Sequence, residues 1–186
     1  MLYAILLSLK KIKIRKSFDT TYTSYHLYSL LLKSASPDEL ALLQFAKFCG
    51  FKYFGMDKDQ NMTIKYKKNN RPCVEKYQLL DVLSFNSTRK RMSVILKDPD
   101  TGKIWLHSKG ADNVILERCQ EPINKKEETI GCLDDFASHG LRTLAVASRI
   151  IPETEYVEWS KEYKEAKLSL EDRKKKMMAV QEKIEV

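Results

Sequence analysis

An aromatic residue and three consecutive cations lie close together between residues 81 and 94. An apolar segment runs into Phe85, a short polar stretch follows, and Arg89, Lys90 and Arg91 precede a second apolar segment. A ring beside clustered positive charge can stack on a nucleobase and attract its phosphates. This spacing therefore favours a site for a nucleotide, in which Arg89 and Arg91 either face the phosphates or only hold the turn.

Other residues could belong to such a site, although most of them have an ordinary structural alternative. Lys109 precedes Gly110, whose missing side chain lets a ligand approach closely, but a single lysine is usually only a solvated surface residue. Arg142 follows a glycine that is predicted to end a helix, and its planar guanidinium suits phosphate. Glu39 falls in the first turn of a predicted helix, where a carboxylate also compensates the helix dipole. Phe85 itself could be a core aromatic.

Hydrophobic periodicity and turn residues place the elements that must position these side chains. Short alternating segments, with turns at 57–61 and 98–102 and a polar connection at 67–72, predict antiparallel strands joined as hairpins. Strands are predicted over 51–54, 62–66, 74–85, 92–96, 104–107 and 141–151, and helices over 37–49, 112–119, 127–139, 153–167 and 170–185. The fold class is therefore α/β, of the α+β type, with an antiparallel twisted sheet of about six to seven strands flanked by helices. The last two helices either pack as a hairpin on the sheet or continue toward another domain.

The distribution of charge argues against a nucleic-acid-binding protein. The chain has 186 residues and a net charge of +8, but six cations and one acid within residues 1–34 supply +5 of it. The rest of the chain has an ordinary mixed surface composition. We predict a divergent N-terminal extension over 1–34, disordered or helical, and one domain over 35–186. A nucleic-acid site built from the three cations and the basic N-terminus is the least favoured alternative.

The cysteines and the apolar segments favour a cytosolic chain. Four cysteines form no CxxC pair and have no histidine at zinc spacing. We predict that Cys49, Cys73, Cys119 and Cys132 are reduced and mostly buried. The apolar residues 1–9 are too few to cross a bilayer, which takes about 20 residues. We therefore expect the isolated chain to be soluble.

Four segments resemble, in the same order, motifs of the nucleotide-binding domain of P-type ATPases, and they are most similar to the type IV branch, the phospholipid flippases. Residues 36–42 (SPDELAL) resemble SPDExALV, and residues 80–94 (LDVLSFNSTRKRMSV) resemble LDVLEFNSTRKRMSV, with Ser84 in place of glutamate. Residues 109–112 resemble KGAD and residues 140–144 resemble GLRTL. The resemblance covers about residues 35–185 and implies the fold of that domain.

The resemblance implies an open cleft that grips adenine and leaves the γ-phosphate projecting outward. Phe85 would stack on adenine, Lys109 would lie beside the ring, and Lys90, on the next strand, would line the same cleft. Glu39 would face the adenine amino group and Arg142 the phosphates. Further candidates for the nucleotide site are Ser87, Arg89, Gly110 and Thr143. So few contacts predict a dissociation constant on the order of 0.1–1 mM.

Chemistry on the phosphate would need parts that this sequence lacks. It has no GxxxxGK[ST] loop and no carboxylate cluster for magnesium. It also lacks the DKTGT, GDGxND and TGE motifs by which P-type ATPases form and turn over an aspartyl phosphate. We expect the chain to bind ATP as MgATP without holding the magnesium itself, and not to hydrolyse ATP alone. No residue is assigned a catalytic or metal-binding role, and the chain is expected to be an excised or truncated piece.

By resemblance, the parent protein is an ATP-hydrolysing phospholipid flippase, a translocase. The phosphorylation and actuator domains of that parent would be the partners of this domain at the cytosolic face of a membrane. Phospholipid and an accessory subunit would meet it only through a membrane part, which would also select the lipid. The alternative is a degenerate fragment that acts as a non-catalytic interaction or regulatory module through its charged C-terminal helices.

Overall fold

The computed structural model describes residues 37–120 and 126–185, so the predicted extension over 1–34 lies outside the described residues. The described elements are α1 (Pro37–Phe48), β1 (Lys52–Met56), β2 (Asn61–Lys68), β3 (Arg71–Asn86), β4 (Arg91–Lys97), β5 (Ile104–Gly110), α2 (Asp112–Leu116), α3 (Lys126–Ser138), β6 (Ala145–Ile151), α4 (Glu153–Leu168) and α5 (Arg173–Ile184). The chain divides into two units. The first comprises Met1–Phe54 and Ile64–Val74, and the second Gly55–Thr63 and Glu75–Val186.

The described strands form a six-stranded sheet in the order β1-β2-β3-β4-β5-β6. Each strand therefore adjoins its neighbour in the sequence, and β3 to β6 pair antiparallel. Hairpin-length links are enough to build such a sheet. The predicted fold class, an antiparallel sheet flanked by helices, is confirmed.

Asp98 fixes the turn between β4 and β5. Its carboxylate accepts hydrogen bonds from the Asp100 amide at 2.9 Å and from the Thr101 hydroxyl at 2.7 Å. Its carbonyl accepts one from the amide of Gly102 at 2.8 Å, and Gly102 has a φ of +69° that glycine adopts without strain. The hydrogen bond from the Thr101 hydroxyl is the main reason why the pKa of Asp98 is lowered. The predicted turn at 98–102 is confirmed.

Several predicted boundaries are wrong, and for three of them the structure shows the reason. The polar connection at 67–72 is only a tight turn, because Asn69 and Asn70 adopt φ values of +51° and +60° that suit a two-residue hairpin. The strand predicted over 141–151 begins at Ala145, since its partner β5 ends at Gly110, opposite that residue. The last helix begins at Arg173 rather than at residue 170, because the chain must first reverse direction after α4.

The core of the second unit lies between the sheet and a hairpin formed by α4 and α5. Trp159 of α4 donates its indole N–H to the carbonyl of Val180 in α5 at 2.8 Å, which joins the two helices. The Trp159 ring also stacks on Tyr163, with ring centroids 4.7 Å apart. Of the two arrangements predicted for the C-terminal helices, packing as a hairpin on the sheet is confirmed. The buried residues of this core are Leu83, Ile95, Ile104, Leu106, Ile151, Trp159, Tyr163, Ala166, Val180 and Ile184.

The first unit joins α1 to the strand that follows it. α1 buries Leu43 and Ala46. The amide of Phe51 donates to the carbonyl of Ala46 at 3.0 Å. The Phe51 ring stacks on Tyr66 of β2, with centroids 5.0 Å apart. Backbone and ring contacts therefore fix where the chain leaves the helix.

The cysteines are reduced thiols, but the prediction that they are mostly buried is wrong. Cys49 and Cys132 are exposed, and Cys73 and Cys119 are partly exposed. The reason is their position, since Cys49 follows the last turn of α1 and Cys132 lies on α3, which has no buried residue.

Candidate functional site

The candidate residues of the second unit gather at one end of β3 to β6. In an antiparallel sheet the end of one strand lies beside the start of the next. Arg91 at the start of β4 pairs with Gly110 at the end of β5, and Gly110 pairs with Ala145 at the start of β6. Phe85 precedes the last residue of β3 at the same end. Three of the four motif segments therefore meet there.

A β-bulge at the end of β3 sets the direction of Phe85. Ser84 and Phe85 together oppose Met92 of β4, and bulges of this kind re-aim side chains. The next residue, Asn86, donates its side-chain amide to the sulfur of Met178 in α5 at 3.6 Å, so it faces the helices. Alternation then places Phe85 on the opposite face. Its side chain is 55% exposed, which excludes the core-aromatic alternative.

Lys109 lies on the same face as Phe85. It pairs with Met92 of β4 on one side and with Val146 of β6 on the other, and cross-strand partners project from one face. Lys109 is only 3% exposed, which excludes the solvated-surface alternative. The backbones of Phe85 and Lys109 are two strand spacings apart, roughly 10 Å, with Met92 between them. We call Phe85, Met92, Lys109 and Val146 the cross-strand row.

Lys90 lies in the turn before β4, so its predicted position on that strand is wrong. Its φ of +52° is in the left-handed region, which a non-glycine residue seldom adopts. Its amide donates to the carbonyl of Asn86 at 2.7 Å, and its carbonyl accepts from the amide of Ala111 at 3.0 Å. The side chain is exposed. The turn therefore presents this ammonium group to solvent beside the cross-strand row.

Gly110 is required by the chain itself. A Cβ atom at this position would lie 2.4 Å from the carbonyl oxygen of Lys90 and 2.6 Å from the Cβ of Arg91. The prediction was that the missing side chain admits a ligand. In the structure the atoms that need this space belong to the turn around Lys90.

Arg89 and Arg91 are buried, which favours the turn-holding alternative over contact with phosphates. Each is 2% exposed. Arg89 donates to the side-chain carbonyl of Gln181, and the Nε of Arg91 pairs with Glu185 at 2.7 Å. Burial lowers the pKa of Arg89, and the charge of Glu185 opposes that shift. Of the three cations only Lys90 is exposed. The triplet therefore does not form the basic surface that a nucleic-acid site would need.

The segment that leads into β6 begins at a helix end, as predicted. Gly140 has a φ of +70°, and its amide donates to the carbonyl of Ala137 at 2.9 Å, an arrangement typical of glycine after a helix. Arg142 is exposed. The hydroxyl of Thr143 donates to Asp112 at the start of α2 at 3.0 Å. Thr143 therefore ties the segment that carries Arg142 to the end of β5.

His107 lies on the same face as Lys109, two residues earlier on β5. It is 1% exposed, and its Nδ1 lies 2.7 Å from the hydroxyl oxygen of Ser148. Burial lowers the pKa of His107 to about 4. The ring is therefore neutral near pH 7 and adds no charge beside Lys109.

Two further candidates were predicted from the sequence. Ser87 is exposed in the turn that follows β3. Glu39 lies in the first turn of α1, as predicted, and it is buried. It belongs to the first unit, so its part in a nucleotide site stays a prediction.

Sequence reasoning missed several residues that shape this end of the sheet. Met92 and Val146 could have been found from strand alternation once the pairing of the strands was known. Asp112, which accepts the hydrogen bond of Thr143, is the last residue of the KGAD segment, but it was not among the predicted site residues. Gln181 and Glu185 are more than 90 residues from the turn that they hold, and no local pattern connects them to it.

The arrangement suits a ligand that has an aromatic part and a negatively charged part. The exposed ring of Phe85 is a stacking platform, the buried Lys109 supplies a charge on the same face, and Lys90 and Arg142 add exposed cations at the same end of the sheet. Within residues 37–120 and 126–185, no group of three or more histidine, cysteine, aspartate or glutamate side chains could hold a metal ion.

The profile of the P-type ATPase cytoplasmic domain N matches residues 30–185. The chain belongs to this family. This match confirms the N domain that the four motifs predicted. The similar proteins also belong to the predicted branch, because they are phospholipid-transporting ATPases.

Three relatives show that branch. Phospholipid-transporting ATPase DRS2 of Saccharomyces cerevisiae is 45% identical over 150 residues, which are 80% of this chain and 11% of the relative. Phospholipid-transporting ATPase DNF1 of Chaetomium thermophilum is 42% identical over 159 residues, 84% of this chain and 10% of the relative. Phospholipid-transporting ATPase 10 of Arabidopsis thaliana is 43% identical over 159 residues, 82% of this chain and 13% of the relative.

The N domain described here thus corresponds to a small part of those proteins. It spans between 10% and 13% of the length of these three relatives. Among the helices of the described ranges, none combines the length and the apolar character that crossing a bilayer requires.

Proposed function

We propose that this N domain binds ATP at the cross-strand row and presents the terminal phosphate to an aspartate of another domain. The observation that supports the proposal best is the bulge at Ser84 and Phe85. It exposes an aromatic ring on the face that carries Lys109, at the end of the sheet where Lys90 and Arg142 also lie. A base and its phosphates need this combination of ring and charge.

Each side chain then has a distinct task. Phe85 stacks on the adenine ring, a contact worth about 1–3 kcal/mol. Lys109 lies beside the ring, while Lys90 and Arg142 attract the phosphates, for which the guanidinium of Arg142 provides a planar set of donors. We assign Arg89 to holding the turn, because its guanidinium is buried against Gln181. Ser87 and Thr143 line or support the same end of the sheet.

The contribution of the domain is positioning rather than chemistry. Magnesium would arrive with ATP, since ATP carries its own oxygen ligands for the ion. An open site with few contacts binds weakly, with a dissociation constant on the order of 0.1–1 mM. Fixing the nucleotide at one end of the sheet makes phosphate transfer to a neighbouring domain effectively intramolecular.

For the parent protein we propose ATP turnover through an aspartyl phosphate, coupled to phospholipid translocation. The names of the relatives support this proposal, since each is a phospholipid-transporting ATPase. The phosphorylation and actuator domains would then be the partners of this N domain, on the cytosolic side of a membrane. Any accessory subunit would act through the membrane part.

A titration of the chain with MgATP, followed by backbone amide NMR shifts, tests the proposal. We expect saturable shifts at Phe85, Lys90, Lys109 and Arg142. Phe85→Ala should weaken binding by about 5- to 150-fold, which corresponds to the free energy of one stacking contact. Lys109→Met, which keeps the apolar stem and removes the charge, should also weaken binding.

Phe54→Ala is the matched control. Phe54 is 52% exposed, nearly as much as Phe85, but it lies on β1 and belongs to the first unit. Its removal should leave the affinity for MgATP unchanged. A well-dispersed spectrum that does not respond to millimolar MgATP would overturn the proposal in favour of the non-catalytic interaction module.

A further inference from the structure

The C-terminal helix α5 holds the turn that carries Lys90 through contacts to the two flanking arginines. Arg89 donates to the side-chain carbonyl of Gln181, which lies near the end of α5. Arg91 pairs with Glu185, directly after the last residue of α5, at 2.7 Å. Both arginines are 2% exposed, so these contacts are shielded from solvent. The residues on either side of Lys90 are therefore fixed by one distant helix.

The two anchoring residues of α5 are themselves held in place. The side-chain amide of Gln181 donates to the hydroxyl of Tyr163 in α4 at 2.9 Å. Glu185 accepts a hydrogen bond from the hydroxyl of Ser93 in β4 at 2.5 Å. Ser93 in turn lies 2.7 Å from the hydroxyl of Ser108 in β5. The contact thus links α4, α5 and two central strands to the turn through one buried polar network.

This network explains how Lys90 can adopt its backbone conformation. A lysine at a φ of +52° is strained and persists only where the surroundings fix the chain. Further bonds tighten the turn, because Arg89 donates to the carbonyl of Ser84 at 3.0 Å and Arg91 donates to the carbonyl of Arg89 at 3.1 Å. With both arginines held inside, the side chain between them must point outward.

We infer that Gln181 and Glu185 are positioning residues for the nucleotide site. They fix the turn that presents Lys90, although neither lies on the face that would meet ATP. The inference rests on the proposed function for its effect on ATP binding. Its structural part, the control of the turn by α5, can be tested without nucleotide.

The test combines two variants with two readouts on the whole chain. Gln181→Leu removes the side-chain acceptor of Arg89, and Glu185→Gln removes the buried charge that pairs with Arg91 and lies 3.7 Å from Arg89. The first readout is hydrogen exchange at the Lys90 amide, which donates to Asn86 at 2.7 Å. The second is the dissociation constant for MgATP from NMR titration. We expect both variants to exchange faster at Lys90 and to bind MgATP about tenfold more weakly, as the loss of one charge-assisted contact would cause.

Tyr156→Phe is the matched control for a general loss of stability. It removes the hydrogen bond from the Tyr156 hydroxyl of α4 to Asp81 of β3, so it weakens the packing of the helices on the sheet without changing the contacts of Gln181 and Glu185. Even where it lowers the unfolding free energy as much as the two test variants do, it should leave both the exchange rate at the Lys90 amide and the affinity for MgATP near the values of the unchanged chain. Gln181→Glu, which keeps an acceptor for Arg89, should retain most of the affinity.

The outcomes separate this inference from the proposed function. If the unchanged chain shows no response to MgATP, the proposed function fails, and the exchange at Lys90 still decides whether α5 holds the turn. If MgATP binds but Gln181→Leu and Glu185→Gln behave as Tyr156→Phe does in both readouts, the inference is overturned. Should Glu185→Gln fail to fold, Gln181→Leu alone carries the test, because it leaves the pair of Arg91 and Glu185 intact.

Discussion

Arginine, rather than lysine, suits the two buried positions that flank Lys90. A guanidinium offers five donors in a planar fork, and Arg89 uses them on Gln181 and on the carbonyls of Ser84 and Arg91. An ammonium group at the same place could not reach partners in these directions. In the order arginine, lysine, arginine, the two arginines are therefore buried and hold the turn, while the lysine between them is exposed. A count of positive residues alone would not distinguish this arrangement from a solvated basic patch.

His107 makes the stability of the second unit depend on pH. Its pKa is lowered to about 4 in the folded chain by burial, against an ordinary value of 6.5. Between these two pKa values the unfolded state binds more protons than the folded state. The contribution of the neutral His107 to stability is therefore fully present above the ordinary pKa and is lost as the pH falls toward 4. We expect His107 to cost about 2 kcal/mol of unfolding free energy between about pH 7 and about pH 5.

Urea denaturation followed by tryptophan fluorescence measures this effect. Both tryptophans of the chain, Trp105 and Trp159, belong to the second unit, which also contains His107. His107→Gln should remove about 2 kcal/mol of the pH dependence, whereas His139→Gln, at an exposed position after α3, should keep it. An unchanged pH dependence in His107→Gln would refute the assignment.

At the scale of elements, the approach of the Lys90 turn to the end of β5 is the tightest contact around a glycine of the described residues. An alanine at Gly110 would place its Cβ 2.4 Å from a backbone oxygen, so the turn or the strand would have to move. We expect Gly110→Ala to lower the unfolding free energy by about 1–3 kcal/mol, as overpacking does elsewhere. The shift of the turn should also weaken MgATP binding.

Gly131→Ala provides the comparison for that prediction. Gly131 lies in the helix α3, and a Cβ there would meet nothing within 4 Å. Alanine in a helix interior is more favourable than glycine by roughly 0.5–1 kcal/mol, so this substitution should stabilise α3. Equal effects of the two substitutions in urea denaturation would show that the close contact at Gly110 is not what matters.

Most of the elements could be predicted from the sequence because their signals are local. Asp98 and Gly102 mark a turn by their own hydrogen bonds and backbone angles, and the alternation of Met92, Val94 and Leu96 marks a strand. The antiparallel order followed from hairpin-length links. These features need no knowledge of the distant chain.

The parts of the site that could not be predicted depend on pairing over long distances. The bulge that exposes Phe85 arises because two residues of β3 oppose one residue of β4. The sequence of neither strand shows this by itself. The burial of Arg89 and Arg91 depends on α5, more than 90 residues later. The motifs therefore predicted which residues to examine, whereas only the structure separates those that face solvent from those that hold the turn.

Ligand binding and folding are linked across the whole second unit, which contains Phe85, Lys109 and both tryptophans. A ligand that binds the folded state alone stabilises it by an amount set by its concentration relative to the dissociation constant. With a dissociation constant on the order of 0.1–1 mM, about 10 mM MgATP should raise the unfolding free energy by about 1.4 to 2.7 kcal/mol. Urea denaturation followed by tryptophan fluorescence, at matched ionic strength, measures this gain.

The control for that gain must separate recognition of the base from the attraction of any polyanion to a chain of net charge +8. Magnesium triphosphate carries the phosphates of ATP without the adenine ring, so it should stabilise the second unit much less than MgATP does. Phe85→Ala should lose most of the gain from MgATP, because the stacking contact is removed while the cations remain. Equal gains from triphosphate and from MgATP, unchanged in Phe85→Ala, would mean that charge alone binds the nucleotide and that the ring of Phe85 does not recognise a base.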